Sequence, residues 1–380
     1  MKVSCLQENL QRALSQVGRA VATKTALPVL SNVLLVTDDG RLRIAATNLE
    51  IGITTWIGAS IETEGSATVD ARLLSEFVNT LPAEPVTLSV EGGHRALAVQ
   101  CGRDTASING VDPEDFPVIP RLEGDAFVAS VDPQALREMI AQVEFAAATD
   151  ESRPVLAGVL ARFEERTLTL AAADGFRLAV RHGALSEAVP ERLDVIVPAR
   201  GLRELARILA DQHDPVQLAM TPNQSQLLVK VGDTEFLSRL IDGTFPDFRQ
   251  IIPREFGTRL ELGRDAFLNA VRRASYFARD NNDVVRLAVH AGEEEFMPGN
   301  VEISATAAER GNSQSFVDAS ITGPETEIAF NARYLADVLG VLKNGQVLIG
   351  VNGSNQAGVV RASGSEDYTH VIMPMVIGTS

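Results

Sequence analysis

The chain has 380 residues, more than one ordinary core accommodates, so length alone points to two or three domains. Its 34 Lys and Arg are outnumbered by 50 Asp and Glu, giving −16 net and a pI near 4.8, a balance that repels phosphate backbones and on first inspection excludes a nucleic-acid binder. A hydrophobic fraction of 45% excludes disorder, and only two cysteines, Cys5 and Cys101, exclude a disulfide-stapled secreted fold.

The amino terminus shows no basic region followed by an apolar stretch, and no run approaches the length of a membrane span, so a cytoplasmic protein with no membrane partner is expected. The first predicted helix covers 7–24, with Leu10, Leu14, Val17 and Val21 on one face. Leu27-Pro28-Val29-Leu30 and Thr47-Asn48-Leu49-Glu50 follow among β-branched runs. After Asp70-Ala71-Arg72, a second helix over 72–81 aligns Leu74, Phe77, Val78 and Leu81. Ile108-Asn109-Gly110 then leads into a Pro-rich run ending in Ile119-Pro120.

The pattern starts again. Asp132-Pro133 places an N-cap and a proline before a helix over 133–148, with Leu136, Met139, Ile140 and Val143 aligned. Arg153-Pro154-Val155-Leu156 and Ala173-Asp174-Gly175-Phe176 answer their counterparts at an offset of 126. Pro198-Ala199-Arg200 opens a helix over 200–213 carrying Leu202, Leu205, Ala206 and Leu209, and Ile241-Asp242-Gly243 leads to Ile252-Pro253. A third pass brings a helix over 264–279 (Phe267, Ala270, Val271, Ala274), then Thr306-Ala307-Ala308-Glu309. Asn331-Ala332-Arg333 opens a last helix over 333–343 (Leu335, Val338, Leu339, Leu342). Three α+β repeats follow, each with two helices and antiparallel sheets joined by Asp-Gly, Asn-Gly and Gly-Gly turns, with boundaries at 1–122, 123–254 and 255–380.

Catalytic chemistry is missing. The five histidines are scattered without ligand spacing, and neither cysteine has a His nearby in sequence. Gly353-Ser354-Asn355-Gln356-Ala357-Gly358 lacks the Lys-Ser/Thr of a phosphate loop and reads as a turn, and Glu293-Glu294-Glu295 reads as a solvated hairpin. No catalytic residue, metal or cofactor is expected. Charge is not spread evenly: the predicted helices sum to +6 and the remainder to −22. Arginine's helix propensity accounts for this blandly; a basic face inside an acidic envelope accounts for it functionally.

Leu27-Pro28-Val29-Leu30-Ser31-Asn32, Ala173-Asp174-Gly175-Phe176-Arg177-Leu178-Ala179-Val180 and Val197-Pro198-Ala199-Arg200 carry a resemblance, in order and spacing. Leu240-Ile241-Asp242-Gly243-Thr244-Phe245-Pro246-Asp247-Phe248 and Met373-Pro374-Met375 complete it. The chain resembles the bacterial DNA polymerase III beta subunits, the sliding clamps, over essentially its whole length. The resemblance implies a DNA clamp fold in which two chains, three repeated domains each, close a pseudo-six-fold ring with helices around duplex DNA. The implied function is a non-catalytic processivity clamp holding double-stranded DNA topologically, without sequence preference. Its implied partners are the replicative DNA polymerase alpha subunit, the clamp loader complex, repair and translesion polymerases, mismatch-repair proteins and ligase, all through short peptides.

By the same resemblance, the peptide pocket comprises Leu156, Ala173, Gly175, Phe176, Arg177, Leu178, Pro246, Ile251, Val371, Met373, Pro374 and Met375, with Asn331 and Tyr334 adjoining. Arg177 and Asn331 are expected to bond peptide backbone; Leu156 and Leu178 are equally at home in a core. Lys24, Arg153, Arg272 and Arg273 would face DNA. Arg103, Ala106 and Ile108 would meet Tyr276 and Phe277 of a second copy in the homodimer. Ala173 stands where the family has Thr and Phe176 where it often has His, so a more apolar pocket is expected. Val376 replaces a common basic residue, and Ile377-Gly378-Thr379-Ser380 outruns the usual ending. Pro154 and Val155 replace aromatic residues at the DNA contact, and Ala106 is smaller than usual. A three-repeat interaction scaffold without DNA remains the alternative, and such a scaffold has no need of cationic helices.

Overall fold

The computed structural model describes residues 1–23, 25–90, 95–121, 127–150, 152–292, 299–343 and 345–376. Its first stretch runs β1 (Lys2–Leu6), α1 (Gln7–Val17), β2 (Asn32–Asp38), β3 (Arg41–Thr47), β4 (Ile51–Gly58), β5 (Ser60–Thr63), β6 (Ser66–Asp70), α2 (Ala71–Thr80), β7 (Pro85–Ser89), β8 (Ala96–Cys101) and β9 (Asp104–Val111). There follow β10 (Phe127–Val131), α3 (Pro133–Val143), β11 (Gly158–Glu164), β12 (Thr167–Ala173), β13 (Arg177–Ala184), β14 (Leu193–Pro198), α4 (Ala199–Ile208), β15 (Val216–Met220), β16 (Gln226–Val231) and β17 (Thr234–Arg239). The last stretch comprises β18 (Thr258–Gly263), α5 (Arg264–Ala278), β19 (Val284–His290), β20 (Gly299–Ala307), β21 (Gly311–Thr322), β22 (Thr326–Asn331), α6 (Ala332–Val341), β23 (Gln346–Val351), β24 (Gly358–Ala362) and β25 (Tyr368–Ile372). Strand, helix, four strands, helix, three strands: the order recurs three times, with β5 the one addition.

Two compact units are formed. One comprises 1–137, 185–190 and 200–241; the other comprises 138–184, 191–199 and 242–380, so the middle repeat contributes to both. The first unit holds a sheet ordered β10-β15-β16-β17-β4-β3-β2-β6-β9-β8-β7-β1-β5, the second one ordered β14-β11-β12-β13-β25-β24-β23-β18-β21-β20-β19-β22. Every paired register is antiparallel. Within the first unit β17 pairs with β4, Phe236 opposite Ile53; within the second β25 pairs with β13, Val371 opposite Leu178. Each pairing joins the final strand of one repeat to the third of the strands lying between the two helices of the repeat before it.

The helices form where caps and apolar stripes coincide. Asp70 accepts from the Leu73 amide at 2.7 Å, Asp132 from Ala135 at 2.8 Å, and Asn331 from Arg333 and Tyr334, opening α2, α3 and α6. Leu74 and Val78 of α2, Leu136 to Val143 of α3, Phe267 to Ala274 of α5 and Leu335 to Leu339 of α6 are buried at the predicted positions. All the helices but α2 are shorter than the spacing predicts. The one expected over 7–24 stops at Val17, followed by a single 3-10 turn, because Gly18 disfavours continuation and the Ala22 amide bonds Leu30 O outside the helix. The one expected over 133–148 stops at Val143 for an equivalent reason, Ala148 donating to Leu156 O. Counted over the observed helices, formal charge is zero on α1, α2, α3 and α6 and +2 on each of α4 and α5. The +6 and −22 division thus becomes +4 and −20, concentrated on two helices instead of spread over most.

Gly110 shows what one motif glycine does. Its amide donates to Arg95 O at 2.9 Å, and β9 pairs with β6 only through Gly110 and Val111. A Cβ there would collide with the carbonyl oxygens of Thr68 and Arg95. Gly110→Ala should therefore destabilise the first unit by about 1–3 kcal/mol, an overpacking cost. An unchanged unfolding temperature would contradict this close approach.

Candidate functional site

In the second unit, three segments enclose a recess of about 340 Å³. Ala147 to Asp150 and Arg153 come from the loop after α3, Asp174, Phe176 and Arg177 from the turn between β12 and β13, and Arg333, Tyr334 and Asp337 from α6. The turn is a local construction. Gly175 takes φ +96, where a side chain is strained, and Asp174 Oδ1 accepts the amides of Phe176 at 2.9 Å and Arg177 at 3.0 Å. This turn holds Phe176 outward, 58% exposed.

Ile251 and Met373 are also exposed in this unit, at 53% and 45%. Leu156, Ala173, Pro374 and Met375 are half-buried, and Pro246 is exposed. The carboxy-terminal segment is held in place at both ends, Met373 N donating to Phe176 O and Met375 N to Ala329 O, each at 2.8 Å. It thereby bridges the start of β13 and the edge strand β22. Two expected pocket residues expose almost no surface: Leu178 at 1% and Val371 at 2%, paired across β13 and β25 where both strands are buried at successive positions.

Arg177 is the electrostatic centre. Its Nε donates to Asp174 Oδ2 at 3.0 Å, Nη1 to Asp337 Oδ2 at 2.6 Å and Nη2 to Phe145 O at 2.6 Å. The guanidinium also lies 4.3 Å from the Tyr334 ring centroid and 5.3 Å from that of Phe145. Three of the five guanidinium N–H donors of Arg177 already hold acceptors of this chain and Asn331 Oδ1 caps α6, so contact with an incoming backbone would fall to the two remaining Arg177 N–H groups and to Asn331 Nδ2. Phe145, Asp174, Arg333 and Asp337 escape the sequence because their roles depend on segments far apart in the chain; only Asp174, beside a motif glycine, left a local signal.

Pro246 and Ile251 ride on a segment fixed by charge. Arg249 bonds Asp247, Phe248 is buried with the Arg162 guanidinium 5.9 Å from its ring centroid, and Arg162 and Arg192 both reach Asp194, at 2.9 and 2.8 Å. Burial pushes the Asp194 carboxyl up, yet hydrogen bonds from Arg192 and Arg162 and their charges outweigh it and hold the group at about 2.

The remaining expected residues are dispersed. Lys24 and Glu293-Glu294-Glu295 lie outside the described residues. Arg153 borders the recess, its Nη1 packed over Gly175, instead of standing apart from the peptide pocket. Arg272 and Arg273 are exposed on α5, with Arg273 Nε donating to Ser315 Oγ of β21. Tyr276 is 62% exposed and Phe277 half-buried; Arg103 is exposed and Ala106 half-buried. Ile108, 4% exposed, packs its side chain into its own unit. The sequence missed Phe316 on β21, 59% exposed.

A larger recess of about 740 Å³ in the first unit lies between α1, the following loop and α2, and none of the described residues lining it is an expected site residue. Both cysteines are free and buried, and burial pushes the Cys5 thiol up to about 12, away from nucleophilic use. Among the described residues no three His, Cys, Asp or Glu side chains gather as metal ligands.

Comparison with known proteins decides the family. Models of the DNA polymerase III beta subunit match throughout: the N-terminal domain at 1–120, the central domain at 130–247 and the C-terminal domain at 249–376. The chain belongs to the DNA polymerase III beta subunit family. It is 32% identical over 378 residues to the beta sliding clamp of Synechococcus elongatus, covering 99% of both proteins, and 29% identical over 385 residues to that of Bacillus subtilis, again covering 99% of both. Among solved structures, the Bacillus subtilis sliding clamp superposes with a TM-score of 0.93 at 29% identity, covering 99% of both chains. The Pseudomonas aeruginosa clamp superposes at 0.90 and 30%, covering 99% of this chain and 100% of that one. Three clamp domains of mixed α+β type, the fold expected from the sequence, are thereby shown. A sliding clamp is a processivity factor and not an enzyme.

The Asp194 carboxylate contributes stability fully above its unfolded pKa of about 4 and loses that contribution as the pH falls toward the native value. Asp194→Asn should therefore flatten the acid limb of a plot of unfolding temperature against pH between about 4 and 2. An unaltered limb would contradict the Arg162–Asp194–Arg192 arrangement.

Proposed function

We propose that this clamp encircles duplex DNA as a ring of two chains and tethers polymerase and other replication and repair proteins through short peptides seated at the Phe176–Met373 groove. One observation carries the ring: two strand edges stand vacant in equivalent places. Residues 104–109 of β9 pair only with β8, and residues 311–318 of β21 only with β20; no described strand takes their other edges. β9 is the final strand of its repeat, as β17 and β25 are of theirs. The free half of β21 corresponds to β4 and β13, which receive those strands. The pairing that repeats twice within the chain lacks its third instance, and a second copy supplies it in both directions. Such a head-to-tail contact closes after two chains. Exposed strand edges favour added strands, and Phe316, Tyr276 and Arg103 are apolar and polar groups available beside them.

Domain boundaries at 1–122, 123–254 and 255–380 fit this scheme, each repeat lending one strand and receiving another. DNA would meet the cationic helices, with Arg272 and Arg273 of α5 and Arg200 and Arg207 of α4 supplying positive charge against a strongly acidic remainder. The acidic surface discourages binding from outside, so threading dominates. The groove serves many partners because exposed Met and Phe walls adapt to different apolar side chains. The replicative polymerase alpha subunit, the clamp loader, translesion polymerases, mismatch-repair proteins and ligase are the partners this predicts, in the cytoplasm. No helix among the described residues is long and apolar enough to cross a membrane.

Truncation after Ile372 removes Met373-Pro374-Met375 and should abolish binding of a labelled polymerase alpha-subunit peptide while the dimer mass is kept; retained affinity would overturn the groove assignment. Arg272→Glu with Arg273→Glu should lower retention on DNA and leave peptide affinity unchanged. Equal retention would favour a scaffold that does not use DNA.

A further inference from the structure

The groove is backed by a column of rings that none of the assigned roles uses. His370 lies in β25, three residues before Met373, and is fully buried at 0% exposure. Its ring stacks on Phe145 at 5.6 Å and 27°, and on Tyr368 at 6.3 Å and 28°. On the groove side Phe145 supports Arg177 twice, through its ring and through its carbonyl, and Tyr334 stacks on the same guanidinium. The column thus runs from the core to the recess as Tyr368, His370, Phe145, Arg177, Tyr334.

One nitrogen in the column is unsatisfied. His370 Nδ1 stands 3.2 Å from the Tyr368 hydroxyl, but Nε2 is buried without a partner. Leaving a buried nitrogen unpaired carries a desolvation cost that an aromatic ring without it would avoid. Beyond the Nδ1 contact, what the ring supplies is a flat face under Phe145.

We propose that His370 is a positioning residue for the peptide groove: its ring fixes Phe145, and Phe145 fixes Arg177 between Asp174 and Asp337. The proposal rests on the peptide-groove reading above. The charged groups facing the column are Arg177 from β13 and, beyond it, Asp174 and Asp337. Burial first, and Arg177 second, keep the imidazole neutral down to about 3, so no second cation sits beneath the guanidinium. If His370 swings or shrinks, Phe145 loses its floor, and the Arg177 carbonyl contact with it. The turn carrying Phe176 begins at Asp174, which Arg177 grips, so the disturbance reaches the exposed groove.

The test measures binding of a fluorescein-labelled clamp-binding peptide from the cognate polymerase alpha subunit by anisotropy and stopped flow. His370→Ala should weaken binding about tenfold, mostly through faster dissociation, while His370→Phe restores affinity to within about twofold of wild type. The double variant His370→Ala with Arg177→Ala should bind no more weakly than Arg177→Ala alone, because both act along one path. Retention of the His370→Ala clamp on circular DNA should match wild type, separating groove geometry from general damage. If His370→Ala does not fold, His370→Leu takes its place, filling volume without stacking. Wild-type affinity in the Ala or Leu variant, loss in the Phe variant equal to that in Ala, or additive losses in the double variant would overturn the proposal. Absence of peptide binding by wild type would overturn the groove reading itself, a different failure.

Discussion

A sheet edge presents backbone donors and acceptors that bind another strand or water, and this chain settles most of that demand by exchange between repeats. β17 completes the sheet against β4, and β25 completes it against β13. Neither repeat boundary is therefore a free hinge: the strands that end one repeat are hydrogen-bonded into the repeat before it. In the proposed ring the vacant stretches of β9 and β21 would be met in the same way by a second chain. The groove follows from the pairing within the chain. Where β25 crosses to β13, the segment beyond it emerges beside the β12–β13 turn, which places Met373 against Phe176 with no further design.

Much of this was legible in the sequence. Repetition is visible because equivalent turns demand equivalent residues: Gly110 and Gly175 stand where a side chain collides or strains, and Asp70, Asp132 and Asn331 stand where helix amides need an acceptor. Apolar stripes at helical spacing marked buried faces correctly, since burial of one face is what stabilises a short helix. Helix ends were over-extended, because periodicity cannot register where a backbone amide finds a partner elsewhere, as Ala22 and Ala148 do.

The site was only partly legible. Family resemblance brought together Phe176, Met373 and Tyr334, and the structure joins them, yet it also named Leu178, Val371 and Ile108, whose side chains are buried. Arg177 illustrates the limit. Its charge suggested a hydrogen bond to a ligand, but Asp337 lies 160 residues away and Phe145 contributes a carbonyl, so the partners it holds within the chain are invisible without the fold. Net charge misled for a similar reason. A total of −16 describes the whole chain, whereas its helical charge is concentrated as +2 on each of α4 and α5.

The central claim is that DNA is held by enclosure and not by adhesion. Clamp loaded onto circular duplex DNA, then separated by gel filtration before and after the circle is cut once, tests this directly. Enclosure predicts that protein stays with intact circles and leaves once linear ends are available. Equal retention on circular and linear DNA at the same salt concentration would contradict it.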